Sequence, residues 1–228
     1  MRYIDELPEH VQVEIYRGFL FRTFMKTFKK FFEFPRNKRK GSVFKWVDEE
    51  YAEYMIKLLQ SLEPRQYHQG ENIHDELDEI LEITFIQHGS VLCGYQLNKR
   101  EKMKLHFPPG TVIGGFNCLF FQKSSFIYRT KIEIEAYALK KKPLMELAQE
   151  HPDIYILMKK RFFTIYMDDI RKPLMAQKEA DIAALAYRSD FSQILSIAAK
   201  NNNANFIDEI EKELFETSSE EEDVVVHN

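Results

Sequence analysis

The chain has only two cysteines, Cys93 and Cys118, among its 228 residues. That is too few for a framework of bridges or a spaced metal quartet, so both read as small core residues in a reducing compartment. No run of about 18 apolar residues occurs, so no segment of this sequence reads as a bilayer span. The amino terminus, MRYIDELPEH, lacks the apolar core that follows the basic start of a signal peptide, which predicts a cytoplasmic chain. Positive charge is not in excess. Lys and Arg number 32 against 36 Asp and Glu, and the pI near 6.0 argues against a nucleic-acid partner. Paired histidines and carboxylates at metal spacing, Gly-x-Ser-x-Gly and a Gly-Lys-Ser/Thr phosphate loop are all missing, so neither an enzyme nor a metal site is expected. Glycine is scarce at 8 residues, which suits packed helices better than a loop-rich fold.

What is present is ordinary for a soluble protein, with 44% hydrophobic and 30% charged residues, and phenylalanine is abundant at 19. This is enough chain for one well-buried domain with a helical appendage. Residues 5–32 read as one amphipathic helix or two in succession. Pro8 suits a first turn, and Val11, Ile15, Phe19, Leu20, Phe24, Phe28, Phe31 and Phe32 keep mostly to steps of three and four. Such a wealth of aromatics serves either the protein's own core or a partner chain. Residues 35–42, PRNKRKGS, form a basic loop: a solvated connection, or a contact with anionic lipid or the import machinery. Residues 48–62 are the next helix, with Asp48 as N-cap.

Short strands follow at 66–73, 80–87, 91–97 and 103–107, with turns at 69–71, at His88-Gly89 and at 98–101. This spacing points to a compact antiparallel β-roll and not to a parallel sheet. The stretch 111–139 is the predicted centre of any ligand pocket. From Tyr128 onward small and apolar side chains alternate with Arg129, Lys131, Glu133 and Glu135, the period of a strand with one face buried. Ahead of it, Gly114 and Gly115 allow a tight turn, and Phe116, Asn117 and Cys118 begin a segment that could close one helical turn with free N–H groups. That arrangement fits an anion site, and it equally fits a turn leading into a core segment. Helices then read from Pro143 to Glu150 and from Pro152 onward, with Pro173 expected to end or kink the second. Further helix is predicted at 176–187, 191–199 and 206–215, a polar break at 201–205, and a disordered acidic tail at 216–228 whose Ser218 and Ser219 suit an acid-directed kinase.

Three local patterns in this order resemble cyclic-nucleotide-binding domains: Gln69-Gly70-Glu71-Asn72-Ile73, then Thr84-Phe85-Ile86-Gln87-His88-Gly89-Ser90-Val91, then the approach from Phe107 to Gly114. Glu6-Leu7-Pro8-Glu9-His10-Val11, opening the amino-terminal helices, is similar to the C-linker that joins this domain to the pore in cyclic-nucleotide-gated, hyperpolarisation-activated and ether-à-go-go-type cation channels. The segment 113–130, at the place of the family's phosphate cassette, looks most like the divergent form in protozoan potassium channels. The resemblance covers residues 5–195. It implies an α+β fold, an antiparallel β-roll flanked by linker helices and by a lid helix over the pocket. The domains implied are 1–47 (linker helices and basic loop), 48–175 (roll and lid), 176–215 (helical extension) and 216–228 (acidic tail).

Set against that family, two polar anchors are absent. Gly115 stands where a glutamate bonds the ribose, and Ser124, with Ser125 beside it, stands where an arginine pairs with the cyclic phosphate. Arg129, the nearest arginine, lies about 16 Å further along an extended strand. A micromolar ligand has about 8 kcal/mol of binding free energy, of which losing one buried charge partner removes roughly 2–5 kcal/mol. The expectation is a regulatory module of a potassium or other cation channel with weak or lost ligand binding, acting through subunit contacts. The alternative is a working cAMP or cGMP sensor with a non-standard pocket built from Gly114, Gly115, Phe116, Asn117, Cys118, Ser124, Ser125 and Arg129. No resident cofactor is implied, and cAMP or cGMP enters only as a weak ligand. The partners implied are the channel pore or other subunits, as a homotetramer through the amino-terminal helices. The location implied is cytoplasmic, including the cytoplasmic face of a membrane. A bacterial-type DNA-binding regulator would need a basic helix-turn-helix, and residues 182–195 are not basic.

Overall fold

The computed structural model describes residues 4, 6–35 and 43–188; the basic loop at 36–42, the helices predicted at 191–199 and 206–215, the polar break at 201–205 and the acidic tail lie outside the described residues. The chain divides into a compact unit, Met1–Leu174, and a second unit, Met175–Asn228.

Within the first unit the sheet contains β1 (Leu62–Tyr67), β2 (Asn72–His74), β3 (Glu82–Leu97), β4 (Arg100–Phe107), β5 (Val112–Ile113) and β6 (Ile127–Lys140). Its order is β1-β6-β3-β4, with β2 on β6 and β5 on β3, and every pairing is antiparallel. This is the expected α+β architecture. The alternation read in β6 holds where it matters: Tyr128, Thr130, Ile134, Ala136 and Ala138 are buried, while Ile132 is 51% exposed.

The two strands expected on either side of His88-Gly89 are one strand, β3. Gly89 does turn the chain, but within the ladder. It has φ of 88°, a β-carbon there would overlap the Glu133 carbonyl of β6, and the β3–β6 register shifts around it between Ile86 and Val91. A glycine bulge of this kind bends a strand without ending it. The polar hairpin at 98–101 is a two-residue turn with Asn98 and Lys99 both at positive φ, the geometry that matches strand twist.

Of the two readings of 5–32, one helix or two in succession, the second is nearer: α1 (Glu9–Ile15), a π-helical turn (Tyr16–Leu20) and α2 (Arg22–Thr27) follow one another, and residues from Phe28 to Phe34 leave the helix. Tertiary packing accounts for the break. Phe24, Phe28, Phe31 and Phe32 gather around Phe85 of β3, with ring centroids 5.3, 5.2, 5.8 and 5.9 Å from it. A straight helix could not bring four rings onto one. Among the described residues most of the amino-terminal aromatics therefore serve this protein's own core, and Phe19, 86% exposed, does not. Helix α3 (Glu49–Gln60) buries Tyr51, Tyr54, Met55, Leu58 and Leu59. Asp48 precedes it without the expected side-chain cap; its carboxylate accepts the Lys45 backbone N–H at 2.8 Å instead, closing the turn before the helix.

After β6 come α5 (Lys141–Glu150) and α6 (Pro152–Ile165), once α4 (Gly115–Leu119) has been placed between β5 and β6. The helix does not end at Pro173. It passes through a π-helical turn (Tyr166–Arg171) into α7 (Lys172–Arg188), in which Pro173 is the second residue. A widened turn just ahead of a proline takes up the missing N–H and the ring's crowding of the previous turn.

Candidate ligand pocket and its lid

The site is built where β5 meets α4. Gly114 is in the left-handed region at φ of 77°, and a β-carbon there would lie 2.9 Å from the Glu82 carbonyl and 3.0 Å from Ile80 Cγ2. The chain can then reverse into α4, whose first bonds run from the Cys118 N–H to the Gly114 carbonyl and from the Phe120 N–H to the Phe116 carbonyl. Every residue from Val112 to Phe120 is buried. Five of the predicted site residues, Gly114, Gly115, Phe116, Asn117 and Cys118, are thus brought together in one covered turn.

The cover is the lid helix. A β-carbon on Gly115 would overlap the ring of Phe162, which occupies the space a side chain at 115 would need. One turn further on, Tyr166 lies flat on Phe116 with ring centroids 4.0 Å apart and planes 3° apart. Phe163 meets Phe116 and Phe120 at 6.2 and 6.1 Å. Close aromatic contacts of this kind add to area burial, so the lid is held by several kcal/mol of apolar contact. What remains between Gly114, Gly115, Phe116, Tyr128, Phe162 and Tyr166 is a cavity of about 10 Å³. Drug-sized ligands occupy roughly 300–1,000 Å³, and about 10–15 Å³ is the least that holds one water.

The polar candidates are spent elsewhere. Asn117 donates through Nδ2 to the Lys123 carbonyl at 2.8 Å, tying α4 to the turn that follows. Ser124 is buried, and its hydroxyl donates to the Phe126 carbonyl at 2.7 Å. Ser125 is exposed and its hydroxyl bonds the Tyr166 phenol, pinning the lid and not facing a cavity. Arg129 points away from the turn. Its neighbour Tyr128 lines the small cavity, while Arg129 donates to Asn72 Oδ1 at 2.7 Å and to Glu101 Oε1 at 2.7 Å. Strand alternation puts the two side chains on opposite faces.

The electrostatics of the turn are those of a dry core. Burial pushes the Cys118 thiol up to about 11 and the Cys93 thiol up to about 12, which keeps both protonated and unreactive at neutral pH. His74 stands beside Gly114, and its Nε2 is buried without a hydrogen-bond partner in the structure. Burial lowers its pKa below the ordinary 6.5, against the opposing pull of Asp78 and Glu82. Among the described residues no group of three or more His, Cys, Asp or Glu side chains could hold a metal ion. A spacing of four puts Phe162 and Tyr166 on one face of a helix in the sequence alone. The sequence carries no signal that Phe162 would sit on Gly115, because that contact joins residues 47 positions apart.

This arrangement of sheet and flanking helices is the fold seen in cyclic-nucleotide-binding domains. A crystal structure of such a domain from Methylobacillus flagellatus superposes with a TM-score of 0.53 at 14% identity, over 67% of this chain and 81% of that one. The catabolite activator protein of Thermus thermophilus matches with a TM-score of 0.45 at 20% identity, over 58% and 59% of the two chains. The regulatory domain of Toxoplasma gondii PKA with cAMP matches with a TM-score of 0.42 at 12% identity, over 48% and 42%. No protein-family model and no curated protein sequence matches the chain.

Proposed function

We propose that this chain is a regulatory module that has kept the cyclic-nucleotide-binding fold, has given up the nucleotide, and works through contacts with other chains. The observation that carries this reading is the Phe162 ring lodged against Gly115, leaving about 10 Å³ where a nucleotide would need several hundred. A purine ribotide could enter only by expelling Phe162 and Tyr166 from buried contacts, and it would meet neither a carboxylate at 115 nor a guanidinium at 124. Arg129 would have to leave both Glu101 and Asn72. The lid and cassette then form a fixed packing surface, and regulation passes through what binds outside it. The setting we favour is the cytoplasmic tail of a potassium or related cation channel, at the cytoplasmic face of the membrane, with the amino-terminal helices toward the pore or neighbouring subunits in a homotetramer. The C-linker-like start of the chain supports that setting, as does exposed Phe19 on those helices. Among the described residues no helix is long and apolar enough to cross a membrane.

Isothermal calorimetry of the purified chain with cAMP and with cGMP checks the first part: no saturable heat is expected up to about 1 mM ligand, the affinity left when two polar anchors are gone. Saturable binding below about 10 µM would overturn the reading. Sedimentation velocity checks the second, with four-fold assembly as the expected state at high protein concentration.

A further inference from the structure

A second concave feature of the first unit lies away from the cassette, and it is much larger. Between the π-helical turn Tyr16–Leu20, α2 with the turn after it, and the segment 43–51 runs a cleft of about 600 Å³. Five cations line it, Arg17, Arg22, Lys26, Lys29 and Lys45, against the one carboxylate of Glu33. The whole chain carries a net charge of −4, so this is a local concentration of positive charge against the overall sign. Lys29 stands 3.8 Å from Glu33, and the Arg17 guanidinium lies 5.6 Å above the ring of Trp46. Among the described residues the side chains of Arg22, Lys26 and Lys45 make no ion pair with a carboxylate; Asp48 bonds Lys45 at its backbone N–H. The floor is aromatic: Phe44 stacks on Tyr51 at 6.0 Å and Trp46 meets the same ring edge-on at 6.0 Å, while Val47, 88% exposed, stands at the rim.

We propose that this cleft is a docking site for an acidic peptide segment that carries an apolar side chain. Carboxylates on the peptide meet the unpaired cations, and the apolar side chain covers Trp46 and Val47. The complementary charges steer encounter and fix register, and the aromatic floor contributes the desolvated contact. Shape decides between a peptide and other anions. Arg17 to Lys26 spans nine residues of mostly helical chain, about 14 Å, which is the length of some four extended residues and far longer than one phosphate. A flat bilayer would meet the cationic rim and exposed Val47, but Phe44 and Trp46 are half-buried and Tyr51 is buried beneath them. The proposal does not depend on whether the cassette holds a nucleotide, since the two sites share no residue.

Trp46 is the single tryptophan of the chain, so its emission reports on the cleft directly. The experiment titrates the full chain with the acetylated, tryptophan-free peptide Glu-Glu-Asp-Leu-Asp-Glu-Glu, and in parallel with its counterpart in which every acid is replaced by its amide. The acidic peptide is expected to give a saturable change, weakening at least about fivefold between 50 and 300 mM NaCl as the charges are screened. The amide peptide is expected to give none. The variant carrying both Arg22→Glu and Lys26→Glu should bind at least about tenfold more weakly, as reversal of rim charges predicts, with an unchanged melting temperature showing that it folds. A fluorescein-labelled copy of the peptide, followed by anisotropy, gives the same affinities without relying on Trp46. Equal responses to both peptides, or undiminished binding by the folded double variant, would overturn the proposal. So would a response to phosphatidylserine vesicles with none to the peptide.

Discussion

Gly115 shows what a single hydrogen in place of a side chain permits. Its lack of a β-carbon admits the Phe162 ring to the turn, so glycine and phenylalanine here are one packing decision. Gly115→Ala should lower the unfolding free energy by about 1–3 kcal/mol, the usual cost of overfilling a packed core. In a Phe162→Ala background the same change should cost under about 0.5 kcal/mol, because the clash is gone. Urea denaturation of the four proteins in this cycle measures the coupling. His74 adds a dependence on pH. Its folded pKa is depressed below 6.5 by burial, so the native state holds it neutral. The stability this supplies is complete above pH 6.5 and falls as pH drops below it, because the unfolded chain takes up the proton first. Melting temperatures of wild type and His74→Gln should therefore converge in slope above pH 7 and diverge between pH 6.5 and 5, the wild type falling more steeply. The carboxylates held low by ion pairs, Glu53 and Glu63, act only below pH 4.5 and leave that window clear.

At the scale of elements, the amino-terminal helices and the lid do related work on two parts of the roll. The aromatics of α2 and the turn after it surround Phe85, and those of α6 and its π-helical continuation cover Phe116. Phe31 joins the two, 4.9 Å from Phe162 and 5.8 Å from Phe85. The lid is also tied from outside: Arg161 donates to the Lys30 and Glu33 carbonyls at 3.0 and 2.8 Å. The turn that follows the amino-terminal helices is thus bonded directly to the helix that covers α4. Phe24→Ala, which removes the ring touching Phe28, Phe32, Phe85 and Tyr137, should cost about 3–5 kcal/mol by urea denaturation. A loss under about 1 kcal/mol would mean that these helices pack only loosely on the roll.

For the first unit as a whole, the shared aromatic core predicts a single unfolding transition. Trp46 emission reports the amino-terminal segment and far-ultraviolet circular dichroism reports the sheet and helices together. Their urea midpoints should coincide within about 0.2 M if the unit is two-state. An earlier Trp46 transition would show that the amino-terminal helices separate from the roll before it unfolds.

Much of this was legible in the order of residues. The period-two pattern of 128–138, the turn residues at 98–101, and the prolines opening α5 and α6 place strands and helices by local chemistry alone, which acts over a few residues. The polar vacancies at Gly115 and Ser124 could be read against a family pattern. What replaced them could not. That β3 continues through Gly89, that residues 5–32 break to surround Phe85, and that Phe162 rather than solvent or ligand fills the turn all depend on contacts between distant segments. Sequence patterning states which faces are apolar; only the tertiary structure decides which apolar face meets which, because burial is non-directional and close packing selects among partners by shape.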